Sequence, residues 1–525
     1  MRASSIIFIA LFGTLISLSE FVEAADDTLR FHSQKRVEND AGVSELQQEM
    51  NEWEASKTAI VVCDMWDKHW CKGATSRVAE MAPTMEKVLK QARKQGVLII
   101  HAPSSTMDYY EDSRQRKAAR NAPTSKMPTE NGWRNLGEKE GPLPIDDSDG
   151  GCDDWPACGN VNQNVWSRQI ETLSIGRNDF ISDRGQEVYN ILEAEGRDNV
   201  IVMGVHVNMC VLGRPFSIRA NVSNGKKVVL MKDLTDSMYN SRKPPFVDHH
   251  RGTELVAEHI ETHWAPSITS SVFTGMAPFR FAKDERKHAV FLLHEKEYDT
   301  ARTVPAFAKK ELEEKLGWKC TYLFGDGLHS IPGTQVLEDA DLLFVSVRRQ
   351  ILPQEQMSYI KAYCESGKPV VGIRTASHAF AERKRNPNTT GIQWPEFDQD
   401  ILGGNYNGHF NNKSPDSPRS YIWSGEKEMT HPIMTGVTGE KRVTTSWLYK
   451  VRPLATTATA IMWGQFEDDE AEPVTWTNTG KWGNRVFYTS LGHPDDFESP
   501  DFRRLLSNGI RWAVGSPVES ESKVN

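Results

Sequence analysis

The stretch Asn199-Val-Ile-Val-Met-Gly-Val-His-Val-Asn-Met-Cys-Val211 decides how the first half of this chain folds. Its apolar run predicts a buried parallel strand over Val200–Val205, and a helix is expected to start at Val211. Cys210 then stands at a strand-to-helix junction, among the free backbone N–H groups at the positive end of the helix. Such groups lower a thiol pKa and hold an oxyanion, which makes Cys210 a candidate nucleophile. The alternative is a buried structural cysteine.

A second apolar strand ends in an acid. The stretch Ala59-Ile-Val-Val-Cys-Asp-Met-Trp66 predicts a strand that delivers Asp64 to the sheet edge where Cys210 also lies. We therefore expect Asp64 and Cys210 to face each other as base and nucleophile.

The pairing of VVCDMW with VIVMGVHVNMCV resembles the isochorismatase-like cysteine hydrolases, which include nicotinamidases and N-carbamoyl amidohydrolases, over roughly residues 55–265. The resemblance implies that Asp64 is the general base and Cys210 the nucleophile. It places the Val207–Asn208 and Asn208–Met209 peptides in the segment where the family carries a cis bond and its oxyanion donors. Asn208 and Met209 are therefore expected at the site.

The family's third catalytic residue, a lysine at the end of a middle strand, has no counterpart here. The matching segment, Ile170–Asp183, contains no lysine, and Arg177 is its nearest cation. A guanidinium stays protonated, so we expect Arg177 to steady a thiolate or an anionic substrate without shuttling a proton. Either the chemistry is modified or the domain is a binding module.

Three histidines are candidates for the same cleft. His69 follows Asp64 closely, and His101 ends the next predicted strand. A metal site built from Asp64, His69 and His101 is one interpretation, but we favour hydrogen-bonded cleft residues and predict no metal or other cofactor. His206, close to Cys210, is the candidate for an auxiliary proton carrier.

Length and composition predict a globular protein of two domains. The chain has 525 residues, of which 38% are hydrophobic and 25% charged. Its net charge of −9 and the lack of a basic stripe argue against nucleic acid as a partner.

Residues 1–24 are predicted to be a signal peptide. Arg2 precedes an apolar core from Ile6 to Leu18, and this core is short for a membrane span. We expect export to a bacterial periplasm or the cell exterior, with no membrane attachment after cleavage. An uncleaved anchor is the alternative. Export permits disulfides, and Cys152 and Cys158 would close a short ring, with a metal site that adds Asp153 and Asp154 as the weaker interpretation.

Alternating elements predict a doubly wound parallel sheet in the first half. The predicted strands are Ala59–Cys63, Val97–His101, Val200–Val205 and Lys226–Met231, and the predicted helices are Arg77–Gln95, Gln186–Glu195, Val211–Asn221 and Thr253–Trp264. Residues 25–55 are predicted to be an extended arm with a short helix over Ser44–Trp53. The long insertion 105–165 carries tryptophans typical of a lid, Trp133 and Trp155, followed by Trp166.

A linker over 266–287 leads to a second α/β alternation over 288–515, followed by a polar tail over 516–525. The stretch Val474–His493, the following FRRLLSNGIRW, GKPVVGIRTASHAF and GGNYNGHF resemble the trehalose-utilisation (ThuA-like) domains, which have the class I glutamine amidotransferase fold. The overall prediction is an α/β protein of two Rossmann-like or flavodoxin-like three-layer domains with mostly parallel sheets.

The amidotransferase cysteine is missing from the turn after the strand Pro369–Ile373, which excludes that thiol mechanism here. A cleft is predicted from one arginine and four histidines: His294, Arg374, His378, His409 and His493. Aromatic and polar groups around such a cleft suit a carbohydrate-like ligand.

We therefore expect an exported cysteine hydrolase that cleaves a C–N bond of a small amide and is fused to a ThuA-like domain. A homo-oligomer is expected as well. The alternatives are a non-catalytic secreted binding protein that uses both folds, and a sugar-active enzyme whose site lies in the ThuA-like half.

Overall fold

The computed structural model describes residues 27–38, 44–137, 140–159, 161, 163–383, 390–410 and 420–518. The predicted signal peptide and most of the predicted polar tail lie outside these residues, so both stay predictions. Among the described residues, no helix has the length and apolar character needed to cross a membrane.

An eight-stranded sheet forms the centre of the first half. Its strands are β1 (Thr28–Glu38), β2 (Ser44–Glu54), β3 (Thr58–Cys63), β4 (Leu98–Ala102), β5 (Phe180–Ile181), β6 (Asn199–Val205), β7 (Lys227–Asp236) and β8 (Ser267–Ile268). They lie in the order β2-β1-β8-β7-β6-β3-β4-β5. The strands from β8 to β5 are parallel, and the β1–β2 hairpin joins β8 in the antiparallel sense.

Helices cover this sheet. They are α1 (Lys72–Lys94), α2 (Met107–Tyr110), α3 (Arg114–Arg120), α4 (Gly185–Ala194), α5 (Cys210–Gly213), α6 (Ile218–Ser223), α7 (His249–His263) and α8 (Ser271–Thr274). Side chains of β3 alternate between two apolar clusters. Val61 packs into one cluster and Val62 into the other. The whole strand is buried, as expected for a parallel strand covered on both faces.

Strands β3 and β6 approach each other very closely at Gly204. A Cβ at this position would lie 2.0 Å from the carbonyl oxygen of Cys63, and the backbone of Gly204 has φ +111°. Only glycine fits here, and the close contact aligns the two strand ends that carry Asp64 and Cys210.

The second half contains a nine-stranded sheet in the order β10-β9-β11-β12-β19-β18-β17-β14-β15. Its elements, with a separate β13–β16 pair, are β9 (His288–His294), α9 (Thr300–Ala308), β10 (Lys319–Phe324), β11 (Leu342–Val347), α10 (Gln354–Glu365), β12 (Val370–Ile373), β13 (Gly408–His409), β14 (Ser420–Trp423), β15 (Arg442–Thr444), β16 (Tyr449–Lys450), β17 (Thr459–Phe466), β18 (Glu472–Thr479), β19 (Arg485–Thr489), α11 (Pro494–Glu498) and α12 (Pro500–Ala513). The strands from β10 to β19 are parallel and the others antiparallel. The predicted class, two α/β domains with mostly parallel sheets, is confirmed.

Ion pairs and β1 connect the halves. Arg251 of α7 lies 3.3 Å from Glu313 of the second half, and Lys319 lies 3.2 Å from Glu254 of α7. The Gln34 side chain of β1 donates to the carbonyl oxygen of Tyr322 in β10 at 3.4 Å.

Three predictions about local structure need correction. Residues 44–53 form strand β2 rather than a helix, because β1 supplies a partner for every residue of the segment. The predicted helix Val211–Asn221 is broken into α5 and α6 around Pro215, which cannot continue a helix. The predicted linker contributes β8 to the first sheet, through pairs with β7 and β1.

Candidate active sites

Asp64 follows the last residue of β3 and has a left-handed backbone conformation, with φ 46°. This conformation is uncommon outside glycine and clusters at functional sites. The side chain is fully buried. The Ser104 N–H donates to Oδ1 at 2.7 Å, and Arg214 Nε donates to Oδ2 at 3.1 Å. Burial raises the pKa of the Asp64 carboxyl, while Arg214 and Ser104 oppose the rise. The ion pair therefore favours a charged carboxylate in a buried place.

Strand β6 brings Cys210 to the same edge. The residue opens α5 and is 8% exposed, and Asp64 and Arg214 are the charged neighbours of its thiol. Burial and then Asp64 raise the pKa of Cys210 above its usual range, and Arg214 lowers it. The predicted lowering of the thiol pKa by the helix start is therefore wrong, because burial outweighs it. The site holds a neutral thiol next to a carboxylate.

The cation at Asp64 is Arg214, which corrects the prediction of Arg177. Arg177 lies exposed in a turn. Arg214 stands one turn after Cys210, and Pro215 forces it out of the helix into an extended conformation (φ −60°, ψ 150°). The indole of Trp133 lies 5.4 Å from the Arg214 guanidinium carbon. The predicted lid thus reaches the site through Trp133, whereas Trp155 is 81% exposed.

The segment before Cys210 is tightly held. A cis peptide joins Val205 and His206, just before the segment in which the resemblance placed it. The Asn208 amide donates to Asp147 Oδ2 at 2.8 Å and to the Met238 carbonyl at 3.0 Å, so its side chain fastens the loop. The Met209 N–H donates to the His206 carbonyl at 3.0 Å, whereas the Cys210 N–H has no acceptor among the described residues. The Cys210 N–H is therefore available to donate to an oxyanion.

Aromatic rings form a wall next to the thiol. Trp166 stacks on Trp66, with ring centroids 4.1 Å apart, and on His69 at 5.6 Å. His206 meets His69 edge-on at 5.0 Å. Both tryptophans pack in the apolar cluster that contains Cys210. Burial lowers the pKa of His69 to about 4 and that of His206 well below its ordinary value. The wall is therefore uncharged at neutral pH.

His101 is not part of this wall. It is fully buried, with Nδ1 2.8 Å from Gln169 Oε1 and Nε2 3.1 Å from Asp179 Oδ2. Both ring nitrogens are occupied, so the alternative of a metal site with Asp64 and His69 does not fit the structure.

In the second half, Arg374 is fully buried at the turn after β12, with φ 46°. Its Nη1 donates to the carbonyl oxygens of Trp447, at 3.1 Å, and of Ser490. Its guanidinium carbon lies 3.9 Å from the ring centre of Tyr298 and 5.0 Å from that of Tyr449. Nε and Nη2 have no partner among the described residues.

A cavity of about 430 Å³ opens next to this turn. Its lining includes His378, which stacks on Tyr406 with centroids 4.2 Å apart, and Asp398. Burial and the neighbouring arginines lower the pKa of His378 well below its usual value. Asp398 accepts the Tyr406 N–H at 2.8 Å, while its Oδ1 has no partner among the described residues. Burial raises the pKa of Asp398 to about 7. Asp398 was not among the residues predicted for this cleft, because its raised pKa comes from burial in the folded chain.

Of the remaining predicted cleft histidines, His409 and His493 lie next to this site, whereas His294 lies next to Gly325 and His329. His294 ends β9, and burial lowers its pKa to about 4. The His409 ring is 5.1 Å from that of Trp447, and the His493 ring is 6.4 Å from that of Tyr298. His409 and His493 thus contact the same aromatic residues as Arg374.

The two halves of the chain are similar to different known proteins. Residues 288–513 match the family model described as ThuA, trehalose utilisation. A ThuA-like protein from Bacteroides uniformis is 19% identical, covers 46% of this chain and 96% of its own, and has a TM-score of 0.34. A cysteine hydrolase from Pseudomonas syringae is 19% identical, covers 42% and 91%, and has a TM-score of 0.27. An isochorismatase from Pseudomonas putida is 15% identical, covers 41% and 90%, and has a TM-score of 0.25. No curated protein matches the chain. The predicted ThuA-like region of the C-terminal half is thus confirmed by a family match over residues 288–513.

Proposed function

We propose that the first half is a thiol hydrolase that cleaves the C–N bond of a small amide. One observation carries the proposal: a fully buried carboxylate, Asp64, accepts a hydrogen bond from Arg214 and is the charged neighbour that acts most strongly on the Cys210 thiol. A buried carboxylate next to a neutral thiol is equipped to take the thiol proton at the moment of attack.

The reaction has two halves. Cys210 Sγ forms a bond to the substrate carbonyl carbon while Asp64 takes the thiol proton, and the Cys210 N–H donates to the oxyanion. Asp64 then returns the proton to the leaving nitrogen, the C–N bond breaks, and an amine or ammonia departs. Water attacks the thioester with Asp64 as base, which releases the acid and restores the thiol. Arg214 keeps the buried Asp64 carboxylate charged and is therefore a positioning residue.

The wall of Trp66, Trp166 and His69 favours a substrate with a flat face. Stacked rings offer area to planar apolar groups, and the neutral imidazoles offer hydrogen bonds without charge. We therefore propose an aromatic or otherwise planar amide as the substrate class.

Ammonia release from a panel of planar carboxamides and N-carbamoyl compounds tests the proposal, with Cys210→Ser as the variant. The control is Cys364→Ser, because Cys364 is a free, buried thiol of the other half. We expect the first variant to lose turnover and the second to keep it. Turnover that survives Cys210→Ser contradicts the proposal, and a folded wild-type protein that turns over no member of the panel favours the binding-module alternative.

A second candidate function lies in the cavity of the ThuA-like half. It is favoured by Asp398, whose pKa near 7 suits a general acid or base, next to His378 and Tyr406. We propose that this cavity binds a polyhydroxylated ligand. Calorimetric titration with mono- and disaccharides should show binding that Asp398→Asn weakens and the exposed control Asp468→Asn leaves unchanged. Equal affinity in both variants contradicts this assignment.

Export and self-association are proposed from the sequence alone. N-terminal sequencing of protein recovered from a bacterial host tests cleavage near Ala25, and light scattering of the purified chain tests a homo-oligomer.

A further inference from the structure

We propose that Cys71, Cys152, Cys158 and Asp154 form a structural zinc site that pins the lid insertion onto helix α1. Cys71 caps the start of α1, and the other three residues come from the insertion. The donor atoms of Cys71, Cys152 and Asp154 all lie within 4.8 Å of one another. Three thiols and a carboxylate are a donor set that suits zinc.

The distances from the Asp154 carboxylate match those between ligands of a tetrahedral zinc centre, whereas Cys158 lies outside the group of three mutually close donors and would move inward on binding the metal. Asp154 Oδ2 lies 3.4 Å from the Cys71 sulfur, 3.7 Å from that of Cys152 and 3.1 Å from that of Cys158. Zinc bonds of about 2.3 Å to sulfur and about 2.0–2.2 Å to oxygen separate the two donors by about 3.5 Å in a tetrahedron. The carboxylate oxygen therefore stands where a fourth ligand of three thiolates is expected.

The surroundings compensate the negative charge of such a site. The N–H groups of Lys72 and Gly73 donate to Asp154 Oδ2 at 2.9 and 3.0 Å, and the Ala74 N–H donates to the Cys71 sulfur at 3.4 Å. These groups lie at the positive end of a helix of 23 residues. Hydrogen bonds that metal ligands accept from neighbouring groups orient these ligands and stabilise their negative charge.

A disulfide explains the cluster less well. The predicted ring between Cys152 and Cys158 is not formed, because both are free thiols in the structure. One disulfide would leave the third thiol unpaired next to a carboxylate that contacts all three. The structure also corrects the metal alternative of the sequence analysis, since Asp153 pairs with Arg77 at 2.7 Å and Cys71 joins the cluster instead.

The zinc cluster lies close to the active site of the first half and would therefore affect that site. Cys71 and Cys152 belong to an apolar cluster against which Trp166 and Met209 pack. Trp166 is part of the aromatic wall, and Met209 precedes Cys210. A metal ion here would fix the lid next to the thiol while taking no part in bond cleavage.

Elemental analysis of the full chain purified without reducing agent or chelator tests the proposal. We expect one zinc ion per chain, and a cobalt-substituted protein with thiolate-to-cobalt charge-transfer absorption. Cys158→Ser and Asp154→Asn should each weaken zinc retention against a chelator by about tenfold or more, while Cys364→Ser matches the wild type.

The cobalt spectrum of the wild-type chain keeps the test valid if a variant fails to fold. Two results overturn the proposal: a zinc-free protein whose unreduced peptide map contains a disulfide between any two of the three cysteines, or zinc that remains as tightly bound in Cys158→Ser and Asp154→Asn as in the wild type. Both results concern the lid, so neither depends on whether Cys210 is a nucleophile.

Discussion

Replacement of Arg214 by methionine should slow the reaction of Cys210 with a disulfide reagent, and replacement of Asp64 by asparagine should accelerate it. The signs follow from the charges around the thiol. Arg214 favours the thiolate and lowers its pKa, whereas Asp64 opposes the thiolate and raises the pKa. Because thiol–disulfide exchange proceeds through the thiolate, this reaction reports the charge around the resting thiol and not the proton transfer to Asp64 during amide cleavage.

The magnitude follows from the contacts. A unit charge within about 4–6 Å shifts a pKa by about one to three units, and both partners contact the thiol in a buried site. We take about two units for each. Below the pKa, the thiolate fraction changes about tenfold per unit, but the nucleophilicity of the thiolate changes in the opposite direction with a Brønsted slope of about 0.4–0.5. The net effect is about tenfold slower reaction for Arg214→Met and about tenfold faster reaction for Asp64→Asn.

The assay is the reaction with neutral 2,2′-dithiodipyridine at fixed pH, quenched in acid and read at the Cys210 peptide by mass spectrometry. Arg177→Met is the matched control, because this exposed arginine was the alternative cation and should leave the rate unchanged. A second neutral disulfide of different size must give the same ratios if charge rather than access is responsible. A slower reaction of Asp64→Asn, or an effect of Arg177→Met equal to that of Arg214→Met, would refute the reasoning.

Three further predictions concern stability. Gly204→Ala should lower the free energy of unfolding by about 3 kcal/mol, because the added methyl group overpacks the strands and the backbone has a positive φ. Gly225→Ala is the control, with φ +85° and open space around it, and should cost about 1 kcal/mol in urea denaturation. Equal costs for the two variants would contradict the close approach of β3 and β6. Arg77→Met should cost about 3 kcal/mol because it removes the arginine from the fully buried carboxylate of Asp236, which keeps its contact with His249. Arg302→Met, which breaks an exposed pair, should cost about 0–1 kcal/mol; similar melting temperatures for both variants would rule this out. Because burial raises the pKa of Asp398 from 3.8 to about 7, its ionisation destabilises the fold as the pH rises through that window, by about 4 kcal/mol in total. Asp398→Asn should therefore flatten the pH dependence of unfolding of the second half, and an unchanged slope would refute the assignment.

The central strands could be predicted because uninterrupted apolar runs indicate buried strands. The predicted strands Ala59–Cys63 and Val200–Val205 match β3 and β6 to within one residue. The polar composition of the segment 44–53 predicts a helix because the sequence gives no sign of its partner strand. Its strand conformation comes from pairing with β1 along the whole length, and pairing is a tertiary property.

The residues of the candidate site could also be predicted only in part. Asp64 and Cys210 were predicted because strand ends of a parallel sheet converge at one edge. Arg214 was not predicted because the resemblance points to a cation in the segment Ile170–Asp183. Its spacing of four from Cys210 and the proline after it are the signals that the sequence offers. The acidity of Asp398 had no signal, since it arises from neighbours distant in the chain.

The pairing of β1 also has a consequence for the order in which this protein can be completed during synthesis. Gln34 of β1 pairs with Ser267 of β8 and donates to Tyr322 of β10. After β1 has left the ribosome, more than half of the chain must therefore be translated before these partners leave the exit tunnel. Until then the hairpin has no sheet to join, and β7 presents an open edge of the kind that pairs with other chains. A nascent chain halted before Ser267 should accordingly need a chaperone more than the finished protein does.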